Sequence, residues 1–125
     1  MAERNDLDEM IGRLRAFAKE RDWEQFHDPK NLAMCLASEA GELLSELRWV
    51  PGPESDGYCR EDMPRARVVA ELGDIGIAWL MLCDRIGLDP MEAVRLKLER
   101  NALKYPVGPS RGRAEPPSQE AAGPR

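Results

Sequence analysis

The sequence predicts an all-α fold, a four-helix bundle, from three observations. Apolar residues recur at three- and four-residue spacing in four segments, whereas no segment alternates with period two for long enough to form a strand. Proline or glycine stands at the ends of the last three of these segments. Leu, Ala, Glu and Arg favour helices and are abundant in the 125 residues, and aromatic residues make up 6%. A chain of this length has room for one domain with one core.

Helices one and two follow from apolar stripes and capping residues. Helix one is predicted over residues 6–20 with Asp6 as its N-cap. Its stripe consists of Leu7, Met10, Ile11, Leu14, Phe17 and Ala18. Helix two is predicted from Asp28 and Pro29 to about Trp49, because a capping residue followed by proline is typical of a first helical turn.

Helix three is predicted to open near Pro64 and to end at Gly87. The connection before it, residues 50–62, is rich in Pro, Gly and acidic residues, and we expect it to cover the site when substrate binds. Residues 75–83 of helix three are apolar on every side, which is more than one small chain can bury. The sequence therefore predicts a homo-oligomer, a dimer or a tetramer, with helix three at the interface.

Helix four is predicted from Asp89 and Pro90 to Tyr105, where Pro106 follows. The last twenty residues, 106–125, hold half of the ten prolines and are predicted to be a disordered tail. The folded domain is accordingly assigned to residues 1–105.

Charge and cysteine content exclude several classes of protein. A formal net charge of −5 opposes binding to a phosphate backbone, so no nucleic-acid partner is expected. No stretch is long and apolar enough for an export signal or a membrane span, so no membrane partner is expected. Cys35, Cys59 and Cys83 form no CxxC pair, which argues against a disulfide framework and a zinc site and favours the reducing cytoplasm.

Two pairs of acidic residues carry the strongest chemical signal. Glu39 and Glu42 lie three residues apart on helix two, and therefore project from one helical face. Glu71 and Asp74 repeat this spacing on helix three. If the two helices pack antiparallel, the carboxylates converge and need a cation, for which all-oxygen ligands favour Mg²⁺, Mn²⁺ or Ca²⁺. Iron is disfavoured because His27 is the single histidine. The alternative is a solvated acidic face with i,i+4 partners.

An acidic pocket suits an anion that binds as its magnesium complex, because the metal then bridges carboxylates and phosphate oxygens. Basic and polar side chains should complete such a phosphate site. Helix four offers Lys97, Asn101 and Lys104 on one face, followed by Tyr105. The alternative for this face is a salt-bridged surface.

The combined motif resembles that of a known family. It consists of the segments SEAGEL at 38–43 and ELGD at 71–74, followed by Lys97, Asn101 and the run Lys104-Tyr105-Pro106. Over about residues 7–106 the chain resembles the MazG-like, all-α nucleoside triphosphate pyrophosphohydrolases. The dCTP pyrophosphatase branch is nearest, because it shares the stretch RDWEQFH at 21–27 and the tryptophan at 49.

The resemblance implies hydrolysis of a nucleoside triphosphate, dCTP or a related or modified pyrimidine nucleotide, to the monophosphate and pyrophosphate. By that analogy Mg²⁺ is bound by Glu39, Glu42, Glu71 and Asp74, one of which orients or deprotonates the attacking water. Phosphate or sugar oxygens would be held by Lys97, Asn101, Lys104 and Tyr105. The nucleoside pocket would be lined by Trp23, His27 and Trp49. The alternative is that the aromatic residues plug the bundle and that His27 is a capping or packing histidine.

Two positions depart from the dCTP-specific pattern. Leu14 stands where that branch has a histidine, and Ala78 stands where it has a tyrosine. Ala78 should enlarge the pocket, and Leu14 removes a hydrogen-bonding group. The sequence therefore predicts a modified pyrimidine, or a broader range of nucleotides, as substrate.

A hypothesis from another class is a non-catalytic helical module that binds metal, oligomerises or regulates and has retained the fold. A degenerate member of the family would be expected to have lost some site residues. This chain keeps all four carboxylates together with Lys97 and Asn101, which favours the enzyme.

Overall fold

The structure is a computed structural model that describes residues 5–115, and this part of the chain consists of helices joined by short connections. The helices are α1 (Asp6–Glu20), α2 (Pro29–Leu47), α3 (Gly52–Tyr58), α4 (Asp62–Arg85), α5 (Pro90–Lys104) and α6 (Val107–Ser110). A 3₁₀ turn, Glu24–Phe26, lies between α1 and α2. No strand occurs within residues 5–115, and the all-α prediction is confirmed.

Side-chain caps explain where α2 and α5 begin. The Asp28 carboxylate accepts a hydrogen bond from the backbone N–H of Asn31 at 2.8 Å, directly before the proline that opens α2. Asp89 likewise accepts one from the backbone N–H of Met91 at 2.9 Å at the start of α5. In both helices proline follows the cap and needs no hydrogen-bond partner for its nitrogen.

The start of α1 differs from the prediction that Asp6 is its cap. The cap is Asn5, whose Oδ1 accepts a hydrogen bond from the backbone N–H of Leu7 at 3.2 Å. Asp6 belongs instead to the first turn, where a carboxylate interacts favourably with the helix dipole. Asparagine and aspartate cap about equally well, so the spacing alone does not distinguish the two neighbours.

The connection after α2 is more regular than the sequence indicates. Its central part forms the short helix α3, with prolines at the first turn, and α4 begins at Asp62 rather than near Pro64. Arg67 of α4 holds α3 in place, because its Nη2 donates to the hydroxyl of Tyr58 at 3.3 Å. Its Nε donates to Glu46 of α2 at 3.0 Å. The closure of this segment over the site when substrate binds stays a prediction.

The described chain divides into two compact units between Gly87 and Leu88. In the first unit, α4 packs along α2 and also contacts α1. Arg15 of α1 forms an ion pair with Asp84 of α4 and donates to it through Nε at 2.8 Å. Gly87 has a φ of 70°, a left-handed conformation that favours glycine and that follows the end of α4. The second unit contains α5 and α6.

The first unit has a small core. Its buried apolar residues are Ile11, Ala18, Leu32, Val68, Ala78 and Cys83. Other large apolar side chains on the same helices are exposed, including Leu44 of α2 at 65% and Leu72 of α4 at 52%. Helices α2 and α4 therefore carry more apolar surface than this unit buries.

Helical structure continues past Pro106, because α6 lies within the segment predicted to be a disordered tail. The rest of that prediction, from residue 116 onward, lies outside the described residues. The assignment of residues 1–105 to one domain stays a prediction. Among the described residues, no helix is long and apolar enough to cross a membrane.

Candidate active site

Three of the four predicted acidic residues come together between α2 and α4. Carboxylate oxygens of Glu39, Glu42 and Glu71 all lie within 4.8 Å of one another. Asp74 is not part of this group of three, but its charge is close enough to raise the pKa of both Glu39 and Glu71. The four side chains are referred to below as the carboxylate cluster.

The carboxylate cluster is electrostatically unfavourable in the absence of a cation. A hydrogen bond shared with Glu42 is the main cause that raises the pKa of Glu39 to about 7, and burial and repulsion add to it. Burial is the main cause of the raised pKa of Glu71, again with a contribution from Glu42. Among the described residues, Glu39 Oε2 and Glu71 Oε2 are buried and have no hydrogen-bond partner. Such oxygens are costly to bury as anions unless a cation neutralises them.

The donor atoms of the carboxylate cluster fit a hard divalent cation. All of them are carboxylate oxygens, the ligands that Mg²⁺, Mn²⁺ and Ca²⁺ take in proteins. Cys35 lies one helical turn before Glu39, and its pKa is raised by burial first and by the charge of Glu39 second. The thiol therefore remains protonated and does not add the thiolate that would favour a softer metal.

A cavity of about 340 Å³ opens beside the carboxylate cluster. Glu39 and Asp74 lie in its lining, and most of the remaining lining is apolar, including Phe17, Ile77 and Met81. A ligand that fits this arrangement has a charged part that reaches the carboxylates through a cation and an apolar, flat part that fills the cavity.

The structure brings four of the discussed pocket positions into this cavity. Trp23 and His27 line it, together with Leu14 and Ala78, the two positions that depart from the dCTP-specific pattern. Phe17 contacts Trp23 edge to face, with ring centroids 5.8 Å apart and an interplanar angle of 70°. The indole is therefore held in place at the cavity wall by a second aromatic ring.

Trp49 is not among the residues that line this cavity. It stands just after α2, is 82% exposed, and lines a separate concavity together with Tyr58 of α3. The guanidinium of Arg48 lies 5.1 Å from the centroid of its ring. Its place in a nucleoside pocket stays a prediction.

The predicted phosphate-binding residues belong to the second unit. Lys97, Asn101 and Lys104 lie on α5 at spacings that place them on one helical face, and Tyr105 follows directly. Nζ of Lys104 lies 5.3 Å from the centroid of the Tyr105 ring. Their part in phosphate binding stays a prediction.

Two polar residues of the cavity are absent from the predicted set. Asn31 and Cys35 line it and precede Glu39 by eight and four residues, so the three side chains follow one stripe along α2. This spacing was readable in the sequence. Because both side chains are uncharged, however, the spacing by itself indicates no chemistry at these two positions.

The thermal stability of the cation-free protein should fall as the pH rises toward about 7. The pKa of Glu39 is about 7 in the folded protein, above the value of about 4.3 for an unfolded glutamate. Its contribution to stability is therefore fully present below about pH 4.3 and is lost as the pH rises to about 7. Thermal unfolding in the presence of a chelator, measured between about pH 4 and about pH 8, tests this expectation.

The variant Glu39→Gln should flatten this part of the pH profile, because it removes the titrating group. Glu9→Gln replaces an exposed acid of α1 and should leave the profile unchanged. Addition of a divalent cation above pH 7 should restore stability to the unmodified protein. A melting temperature that is equally independent of pH with and without Glu39 would contradict the assignment.

Comparisons with known proteins identify relatives of this chain. The chain is 44% identical over 107 residues to dCTP pyrophosphatase 1 of Bos taurus, and 42% identical to that of Rattus norvegicus. Each alignment covers 85% of this chain, which spans about 63% of the length of these curated relatives. No family model matches the chain.

A solved structure extends the comparison to the fold. The crystal structure of a pyrophosphatase from Archaeoglobus fulgidus is 34% identical and superposes with a TM-score of 0.77. The match covers 85% of this chain and 97% of the archaeal one. The chain therefore belongs to the MazG-like, all-α nucleoside triphosphate pyrophosphohydrolase family, because it is 34% identical to this pyrophosphatase over 97% of the archaeal chain.

Proposed function

We propose that this chain hydrolyses a nucleoside triphosphate to the monophosphate and pyrophosphate in the presence of Mg²⁺. The observation that carries the proposal is the carboxylate cluster, with its buried oxygens that lack partners among the described residues, beside an apolar cavity with an indole in its wall. Relatives named dCTP pyrophosphatase 1 support a pyrimidine deoxynucleotide as substrate. We therefore take dCTP, or a related or modified pyrimidine nucleotide, as the substrate class.

The carboxylate cluster performs two tasks in this reaction. Glu39, Glu42, Glu71 and Asp74 would hold the cation, which when bound screens the triphosphate oxygens and makes a water easier to deprotonate. Glu39 and Asp74 also line the cavity, which sets them beside a nucleotide whose base fills it. We assign to one of these two the orientation of the attacking water and the acceptance of its proton.

The apolar part of the cavity would bind the nucleoside. An indole face stacks on a base for about 1–3 kcal/mol, and the contact of Phe17 keeps the Trp23 indole in position for this. Ala78 is buried and leaves space where a tyrosine would project into the cavity. A base that carries an additional substituent can occupy that space, whereas a base without one leaves it empty.

The functional form is a homo-oligomer, a dimer or a tetramer, that uses α4 and α2 in its interface. Exposed apolar side chains on both helices support this proposal. In a symmetric dimer the same apolar surface of a second copy would cover them. The role implied for Trp49 supports it further. An exposed tryptophan that does not line the cavity of its own chain can line the cavity of a neighbouring copy.

Removal of one carboxylate should abolish most of the activity. Pyrophosphate release with Mg²⁺ should fall at least about a hundredfold in Glu42→Gln, on the order of 3 kcal/mol of barrier, because the amide no longer carries the charge that holds the cation. Glu9→Gln, on the exposed face of α1, is the matched control and should retain full turnover. A wild-type chain that binds nucleotide and releases no pyrophosphate would instead indicate a non-catalytic module.

The width of the cavity should determine the range of substrates. Ala78→Tyr should lower kcat/KM for dCTP analogues substituted at the 5 position by about tenfold or more relative to dCTP, because the phenol occupies the space of the substituent. Turnover of both nucleotides by the unmodified and variant chains provides the comparison. Strict preference of the unmodified chain for dCTP over every substituted analogue would refute the widened pocket.

A charge introduced into α4 should dissociate the proposed oligomer. Light scattering should give the unmodified protein at least twice the mass of one 14.1 kDa chain. Leu72→Glu should reduce this mass to one chain, because it places a charge in the proposed interface at a side chain that is exposed in the single chain. Circular dichroism establishes that the variant is folded. An unmodified protein with the mass of one chain would refute the oligomer.

A further inference from the structure

Asn31 stands at the end of the cavity-lining stripe that is remote from the carboxylate cluster. Asn31, Cys35 and Glu39 follow one another along α2 at four-residue spacing, and all three line the cavity. Four residues of an α-helix rise about 6 Å, so Asn31 lies about 12 Å from Glu39 along the helix axis. This length is comparable with the span from the α-phosphate of a nucleotide to the far edge of its base. A nucleotide whose phosphates lie at Glu39 and whose base fills the cavity can therefore reach Asn31 with the edge of its base.

The Asn31 side chain is held in one orientation. Its Nδ2 donates to the backbone carbonyl oxygen of Phe26 at 3.0 Å and to Oδ2 of Asp28 at 3.2 Å. Both partners accept hydrogen bonds and cannot donate them, so a reversed amide would lose both interactions. The backbone N–H of Asn31 donates to Oδ1 of the same aspartate, which also fixes the residue at the start of α2. The two amide hydrogens are thus used, and Oδ1, which accepts no hydrogen bond within residues 5–115, remains as an acceptor.

We propose that Asn31 determines which base is accepted, because its Oδ1 accepts a hydrogen bond from an amino group on the edge of the base. Cytosine carries such a donor at C4, where uracil and thymine carry a carbonyl oxygen. A carbonyl at that place would set two acceptors against each other, and the Asn31 amide has no free hydrogen to offer it because both are already donated. This assignment rests on the proposed nucleotide function and adds the feature of the base that is recognised.

Asn31 also explains how a widened cavity can still discriminate between bases. Leu14 and Ala78 line the cavity with aliphatic side chains that carry no hydrogen-bonding group. An acceptor held by Asp28 and by the backbone does not depend on either position. The cavity can then admit a substituted ring and still require an amino group on it.

Asn31→Ala tests the assignment, and Lys30→Ala is its matched control. Both variants truncate a polar side chain in the first turn of α2, but Lys30 does not line the cavity. The ratio of kcat/KM for dCTP to that for dUTP should fall by about tenfold in Asn31→Ala, the equivalent of one hydrogen bond, and should be unchanged in Lys30→Ala. A variant that only destabilises the first turn of α2 should lower kcat/KM for dCTP and for dUTP by the same factor, so that their ratio is unchanged. An unchanged ratio in Asn31→Ala, or an unmodified chain without preference for dCTP over dUTP, overturns the assignment.

Binding of the monophosphates separates this assignment from the proposed reaction. Calorimetry should show that the unmodified chain binds dCMP about tenfold more tightly than dUMP, and that Asn31→Ala binds the two about equally. If no nucleotide yields pyrophosphate but this binding preference is present and depends on Asn31, the proposed reaction is wrong and the base assignment stands. If pyrophosphate is released and the preference does not depend on Asn31, the reaction stands and the assignment is wrong.

Discussion

The antiparallel register of α2 and α4 is the constraint on which the rest of the first unit depends. Arg67 pairs with Glu46 at 3.0 Å and sets this register at one end of the helix pair. In an antiparallel pair, moving toward the N-terminus of α2 means moving toward the C-terminus of α4. Four residues from the ion pair in these directions, Glu42 therefore lies beside Glu71. An attractive pair and a repulsive one thus occupy successive turns. The ion pair is partly exposed, so the repulsion is offset mainly by burial of apolar residues on the two helices, such as Leu32 and Val68.

The same register places the cavity next to the carboxylate cluster. In the same direction along the helix pair, this register places Glu39 opposite Asp74. One turn further it places Cys35 opposite Ala78, and these four residues all line the cavity. The groove between the two helices therefore changes from charged to apolar within about two helical turns. A nucleoside triphosphate has the same polarity along its length. The change from charged to apolar lining is produced by residues on the facing sides of α2 and α4.

Features set by local spacing were predictable from the sequence, and features set by contacts between distant segments were not. The caps Asp28 and Asp89 and the acidic pairs each depend on residues within one or two turns of one helix. Helix α3 has seven residues and is held by Arg67 of another helix, so its own sequence indicates a connection. The Asn31 amide is fixed locally, but the role proposed for it depends on the cavity that residues of α4 complete, which the sequence of α2 alone does not indicate.

The negative charge of the protein and the proposed binding of a phosphate-bearing ligand are compatible only when cation and nucleotide bind together. The chain has a formal net charge of −5, and its cavity contains Glu39 and Asp74, so a free triphosphate is repelled. The closeness of the carboxylates also raises the pKa of Glu39, through the hydrogen bond with Glu42 first, because a bound proton, like a bound metal ion, reduces the repulsion between them. A cation that neutralises the carboxylates favours the triphosphate, and by thermodynamic linkage the triphosphate favours the cation to an equal extent. The proposed substrate is therefore the metal complex of the nucleotide, and protons compete with the metal for its site.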